Sequence, residues 1–443
     1  MYVLNSDVVL RAEPQYYGTY AAFDSKAVIT EFLSEEEFEI LKMVSKKTID
    51  KSKIIRNTKL NEKDLNAFLK KMQDLRFLDK VDEKIEIERP DPIKIDPEDF
   101  KPFPVPFLSA PTTLDLFITS RCNLNCVHCF SDMEDNALHD LSHSELESIF
   151  DQLESMRVFE VRINGGEPFL HPEIDKILVS LEKRRFRRVI LTNGTMLDEK
   201  KVRLLKRTNT IPTISMNDSN PEGHDAFTGV EGSFDKMIKT LRLLQKNQMQ
   251  YGINTCLHNK NIERYEEIIK LAIKYDAFRI AFLDLKLTGR MKHHKEWIPT
   301  YEEYEKQIPR LAIARLKYKR KIDVSLDVFR YCRPLEESIQ EANNGFISCS
   351  AGKARLSIDS KGDVYPCNLV ISDPEWNMGN ATRKKLKDIW FSKKWMPFRG
   401  GVRIEDLKKC RNCKDRKDCI DFYCRLLPYL HTKDFFGPHP RCA

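Results

Sequence analysis

Three cysteines form a tight C-x3-C-x2-C run at Cys122, Cys126 and Cys129, and seven more crowd the end of the chain at Cys349, Cys367, Cys410, Cys413, Cys419, Cys424 and Cys442. Cys256 and Cys332 complete the twelve. The opening MYVLNSDVVLRAE lacks the basic-then-apolar pattern of a signal peptide, so a cytoplasmic, reducing setting is expected, where clustered thiols hold metal rather than pair as disulfides. Three thiolates can hold three irons of a four-iron cubane and leave the fourth iron open to chelate a small molecule. A tetrahedral zinc would want a fourth ligand, for which His128 is a candidate, but the spacing with a ring before the last cysteine favours the cluster. Cys256 sits in an apolar strand context and reads as a core thiol.

The elements around these cysteines repeat. Strand-like segments at 114–119, 159–164, 188–192, 213–217, 252–257 and 278–284 alternate with amphipathic helical stretches, such as 142–156 with its capping box Ser142…Glu145. Repeated βαβ units predict a parallel sheet with right-handed crossovers, here an incomplete barrel open along one side. The first cysteine run follows the first strand, at the end of the sheet where such barrels keep their sites. Upstream, prolines at 90, 92, 97, 102, 104, 106 and 111 mark a stiff linker over residues 91–112. Before it, residues 1–90 read as a small module: strands at 8–11, 20–23 and 27–32, a helix opened by the capping box Ser34…Glu37, and a helix capped by Asn61 with Leu65, Phe68, Leu69 and Met72 on one face. Residues 84–88 alternate like an edge strand. Barrel sequence spans 113–320, a bridging region 321–348, and the cysteine-rich end 349–443 has few long helices and needs metal as a staple.

The run at Cys122, Cys126 and Cys129 resembles the radical S-adenosylmethionine (SAM) superfamily, with His128 in the slot of the family's aromatic residue. Gly165, Gly166, Glu167 and Pro168 end the second strand and match that family's GGEP element. The resemblance implies that the open iron binds the amino and carboxylate groups of SAM, that His128 packs near the adenine, and that Glu167 accepts from the SAM ammonium. It further implies that Asn193, Ser215 and Asn217, at later strand ends, lie near the ribose and methionine parts. The C-terminal cysteines resemble a SPASM domain, which implies two auxiliary clusters and so three [4Fe-4S] clusters in all. By that pattern Cys410, Cys413, Cys419 and Cys442 ligate the distal cluster, and Cys349, Cys367 and Cys424 the nearer one. Cys332 is a candidate fourth ligand, the alternative being a site open to a substrate thiol. Cys424 departs from the usual spacing, with four residues between it and Cys419 instead of three. A single zinc ribbon would leave cysteines unused.

The N-terminal module resembles, in the order of its elements, the winged-helix-like element that binds leader peptides of ribosomally made, modified peptides. This implies an edge at 27–32 and a helix at 61–75 that together hold an extended leader. The expected fold is therefore α/β: a partial (β/α)6 TIM barrel between a winged-helix-like domain and a SPASM domain. The expected activity is reductive SAM cleavage to a 5′-deoxyadenosyl radical, which crosslinks a precursor peptide bound by its leader and core. A cysteine thioether, as in sactipeptide and ranthipeptide synthases, is the favoured product, with an epimer or another crosslink as alternatives. A flavodoxin- or ferredoxin-type reductant is implied. The net charge of +7 is small for 443 residues and gives no reason to expect nucleic acid, and no apolar run is long enough for a membrane span. Two rivals stand apart: another SPASM class such as a sulfatase-maturing oxidase, and an iron–sulfur sensor whose winged helix and basic run 42–63 meet DNA.

Overall fold

The computed structural model describes residues 1–13, 19–24, 29–87, 89, 96–130, 138–327, 347, 349–371, 373–414, 424–438 and 442. Cys332 and Cys419 lie outside the described residues, as do 27 and 28 of the expected edge.

The N-terminal module starts with β1 (Tyr2–Leu4), β2 (Val8–Glu13), β3 (Thr19–Asp24) and β4 (Ile29–Leu33), followed by α1 (Glu35–Met43), α2 (Lys51–Arg56), α3 (Glu62–Asp74) and β5 (Leu78–Lys80). Strands β2, β3 and β4 form one antiparallel sheet, while β1 pairs with β5. Helix α1 has the capping box in place: Glu37 N donates to Ser34 Oγ, and Ser34 N donates to the Glu37 carboxylate. Helix α3 is capped by Asn61 and buries Leu65, Phe68, Leu69 and Met72, the face its periodicity requires. Of the alternating stretch at 84–88, the described residues 84–87 contribute one bridge, Glu86 opposite Lys47, and no strand. Charges at Asp82, Glu83, Lys84 and Glu86 leave it little apolar surface to bury.

The barrel sheet runs β6 (Thr113–Phe117), β7 (Glu160–Asn164), β8 (Arg187–Thr192), β9 (Thr210–Ser215), β10 (Gly252–Leu257) and β11 (Arg279–Asp284), all parallel. Helices α4 (His143–Ser155), α5 (Ile174–Leu181), α6 (Glu199–Arg207), α7 (Pro221–Thr228), α8 (Ser233–Lys246), α9 (Tyr265–Lys274) and α10 (Tyr301–Tyr318) fall between or after these strands. These are the six units that the alternation requires. A further parallel strand, β12 (Asp323–Asp327), extends the sheet beyond β11. At the other end the C-terminal segment supplies β13 (Arg355–Ile358), which pairs parallel to β6, then β14 (Asp363–Tyr365) and β15 (Gly379–Asn380). The Arg355 guanidinium binds Asp115 of β6, with Nε 3.0 Å from Oδ2.

The module is fastened to the barrel by buried charge. Arg11 donates to the carbonyls of Ala110 and Pro111, and Glu13 accepts from the Ser109 amide at 2.7 Å and its hydroxyl at 2.6 Å. Phe23 stacks on Phe159 at 4.8 Å, and Arg157 donates to the Leu10 carbonyl at 2.9 Å. These contacts cover the β2–β3 side. Strand β4 pairs only with β3 among the described residues, so its outer edge stays open; there Phe32 is 72% exposed, and Lys71 of α3 pairs with Glu31.

Candidate active site

Each loop leaving the C-terminal ends of β6 to β11 contributes to one rim. The loop after β6 carries Cys122, Cys126 and Cys129 and is held from several sides. Thr119 Oγ1 and Arg121 Nε donate to Asp140, at 2.5 and 2.8 Å. The Asn125 and Val127 amides donate to carbonyls at the end of α7, and Arg290, after β11, donates its amide to the Cys129 carbonyl at 3.1 Å.

Two glycines make this packing possible. A Cβ on Gly166 would overlap the Arg121 carbonyl and lie 2.8 Å from Cys122 Cβ. Gly289 has a positive φ of 53°, and a Cβ there would overlap the Cys129 carbonyl. The nearest neighbours of the GGEP glycines are in the cysteine loop, with Gly165 against Thr119 and Gly166 against Arg121 and Cys122.

The three thiols sense one another. Burial pushes Cys122 up to about 11, with Glu167 and Cys129 adding to the shift. Cys126 is raised further by burial and then by Cys129 and Cys122, with Arg290 acting in opposition. Cys122 and Cys126 therefore keep their protons near pH 7 in the bare protein; a cationic iron centre would displace them and hold the charge. The donor set therefore fits a metal cluster in chemistry, although among the described residues no three His, Cys, Asp or Glu side chains converge in the geometry of a single ion site.

Glu167 is fully buried beside this loop. Its carboxylate accepts from Thr192 Oγ1 at 2.7 Å, the Asn193 amide at 2.8 Å and the Phe169 amide at 3.2 Å. Burial nonetheless pushes it up to about 7, against those bonds, so an arriving cation beside it would be favoured. Asn193 also reaches Asn123 in the cysteine loop at 2.9 Å. Ser215 ends β9. Asn217 is turned to scaffolding: its Oδ1 accepts from the Cys256 amide at 3.1 Å, and its carbonyl accepts from Asn261 at 2.7 Å.

His128 is stacked on Phe227 at 4.6 Å, and His258 stacks on the other face of that ring, also at 4.6 Å. Trp297 meets both Phe227 and His258 edge-on. Burial lowers both imidazoles, His128 to about 4 and His258 to about 3, so they are neutral near pH 7. This wall comes from four separate segments, helix α7 and the stretches after β6, β10 and β11, and of its members only His128 stood out in the sequence. Cys256 packs against the same group, is pushed up to about 12 by burial, and lies close enough to Cys126 for their charges to interact.

A second site lies in the C-terminal segment. Cys349, Cys367 and Cys424 line one cavity of about 70 Å³ with Arg425, Phe398, Phe435 and other apolar side chains. Burial and the two neighbouring thiols raise Cys367 strongly. Cys410 and Cys413 share one tight turn, where the Cys413 amide donates to the Cys410 carbonyl, and Lys409 reaches back to the Cys442 carbonyl. The segment after β11 touches both sites: Arg290 meets the cysteine loop, Thr288 donates to the Leu369 carbonyl at 3.0 Å, and the Lys286 charge reaches Cys424.

Comparison with known proteins agrees with this geometry. Residues 116–272 match the radical SAM superfamily, and residues 349–414 match SPASM, an iron–sulfur cluster-binding domain. The chain is 27% identical to the AdoMet-dependent heme synthase of Methanosarcina barkeri over 351 residues, covering 75% of this chain and 97% of that protein. It is 28% identical to the mycofactocin maturase MftC of Mycobacterium tuberculosis over 341 residues, covering 76% of this chain and 84% of that one. Its fold is like that of Streptococcus suis SuiB, solved bound to the precursor peptide SuiA, with a TM-score of 0.72 at 19% identity over 96% of this chain and 97% of the other. No helix among the described residues is long and apolar enough to cross a membrane. The cysteine loop on the barrel rim and the thiol-lined cavity behind it are thus those of an enzyme of the radical SAM superfamily, one that carries a SPASM iron–sulfur domain.

Proposed function

We propose that this enzyme crosslinks a ribosomally made precursor peptide, joining a cysteine thiol to a carbon of the same core peptide. The observation that carries the reading is the open edge of β4 beside α3, on a module rigidly fastened to the barrel. An extended leader can add there as a further strand, with Phe32 ready to pack against it. SuiB, whose fold runs along nearly the whole chain, is a protein solved with its precursor peptide, and MftC is a peptide maturase by name.

In this reading residues 1–90 bind the leader, 91–112 link, 113–320 form the radical SAM barrel, and 349–443 hold two auxiliary clusters. Cys122, Cys126 and Cys129 hold the first of three [4Fe-4S] clusters, Cys349, Cys367 and Cys424 the second, and Cys410, Cys413, Cys419 and Cys442 the third. The clusters and SAM, when bound, supply one-electron chemistry, fed by a flavodoxin- or ferredoxin-type protein in the cytoplasm. The chain positions it: Glu167 offers an anion to the SAM ammonium, and the neutral His128–Phe227–His258 wall excludes water. Among the described residues three protein thiols line the second cavity, and the thioether reading takes a substrate thiol as the fourth ligand, with Cys332, outside the described residues, as the alternative.

Anaerobic co-expression with a precursor encoded beside the gene should yield a peptide lighter by two hydrogens per crosslink, with its thiols resistant to alkylation. Unchanged mass with deuterium gained from heavy water would make the enzyme an epimerase and Cys256, beside Cys126, its candidate hydrogen donor. In the Phe32→Asp variant, peptide affinity should fall about tenfold or more, roughly 1.4 kcal/mol, with iron content unchanged. Equal affinity by calorimetry would remove β4 from the binding site.

A further inference from the structure

Arg425 follows Cys424 at the start of the helix Leu426–Thr432 and is only 5% exposed. Its Nη2 donates to the Gly437 carbonyl at 2.9 Å. Nε and Nη1 are buried and have no hydrogen-bond partner among the described residues. The side chain lines the cavity of Cys349, Cys367 and Cys424, and its charge acts on both Cys410 and Cys424. Phe398, Phe435, Leu426 and Val402 form the apolar remainder. A guanidinium is not deprotonated in a protein, and leaving its donors buried and unmet is costly, more so than for neutral groups. The cavity therefore has a fixed cation with two donor nitrogens, Nε and Nη1, that meet no acceptor among the described residues, although the Asp434 charge also acts on it.

We propose that Arg425 donates these two N–H groups to the sulfurs of the nearer auxiliary cluster and raises its reduction potential. The proposal rests on the cluster assignment made above for Cys349, Cys367 and Cys424. Reduction adds one negative charge to a cluster, and a buried cation with N–H···S bonds favours the more negative state. That bias suits the crosslinking reaction. Hydrogen removal from the peptide gives 5′-deoxyadenosine and a carbon radical. Bonding of that carbon to a cysteine sulfur then releases the thiol proton and one electron, and Arg425 favours transfer of that electron to the neighbouring cluster. The guanidinium charge also acts on Cys410.

The test compares wild-type holoenzyme with R425Q and R425K, each reconstituted and assayed for iron and sulfide, by redox titration followed by electron paramagnetic resonance. Added SAM marks the barrel cluster's signal. We expect R425Q to lower the midpoint potential of the nearer auxiliary cluster, R425K to restore part of the shift, and the barrel cluster to titrate as in wild type. An unchanged auxiliary potential in R425Q at full iron content would overturn the proposal. Loss of the cluster from both variants would overturn it too, making Arg425 a structural residue. If removing Cys349, Cys367 and Cys424 together leaves the iron content unaltered, the cluster assignment itself fails, and the proposal with it.

Discussion

The Cys126→Ala enzyme should form no 5′-deoxyadenosine from SAM under reducing conditions, a fall of more than about a thousandfold against wild type. Cys126 is the most strongly raised thiol of its loop, by burial first and then by Cys129 and Cys122, with Arg290 acting in opposition. Removing it leaves two thiols, too few to keep three irons. Iron content should drop by one cluster while the cysteines of the C-terminal segment retain theirs. Cys122→Ala and Cys129→Ala should behave alike. Appreciable SAM cleavage by any of the three variants would refute the assignment of this loop as the site of the first cluster.

Gly166→Ala should be nearly as damaging, although glycine carries no functional group. The added methyl would sit on the Arg121 carbonyl and against Cys122, both backbone-anchored, so the loop must shift. Sites of this kind tolerate displacements of well under an ångström. We expect SAM cleavage to fall at least about a hundredfold, as for a misplaced catalytic group, with the far-ultraviolet circular dichroism unchanged. Gly252→Ala is the control: its Cβ would lie 3.5 Å from Thr213, an ordinary contact, and its activity should stay close to wild type. If Gly166→Ala cleaves SAM as fast as Gly252→Ala, the close approach is incidental.

What could be read in the sequence was what is encoded locally. Capping boxes at Ser34 and Ser142, the apolar face of α3 and the strand ends at Asn164, Thr192 and Leu257 each depend on a few adjacent residues, and all six barrel units follow from them. The cysteine spacing is equally local. What escaped depends on pairs distant in the chain. Strand β13 reads as part of a loop-rich tail, because nothing in Arg355–Ile358 announces that its partner is β6, some 240 residues earlier. The stacked wall of His128, Phe227, His258 and Trp297 is assembled from four distant segments and has no periodic signature. Gly289 and Arg290 could have been noticed as an isolated glycine beside a cation after a strand, but their partner, the Cys129 carbonyl, is known only from the fold. At 84–88, alternation suggested a strand, and charge left it with one bridge.

The pairing of β13 with β6 also governs the order of events during synthesis. Strand β6 is made early, yet one of its two neighbours emerges only when the ribosome has passed residue 358. Until then β6 is an open sheet edge, and the loop that it positions, with Cys122, Cys126 and Cys129, hangs from an incomplete scaffold. Such edges invite pairing with other chains, and contacts of this sequence separation form slowly. The barrel is thus not an autonomous folding unit to which a cluster domain was appended. Its first strand is finished by β13, so the nascent chain reaches its metal-ready form only after residue 358 has been made.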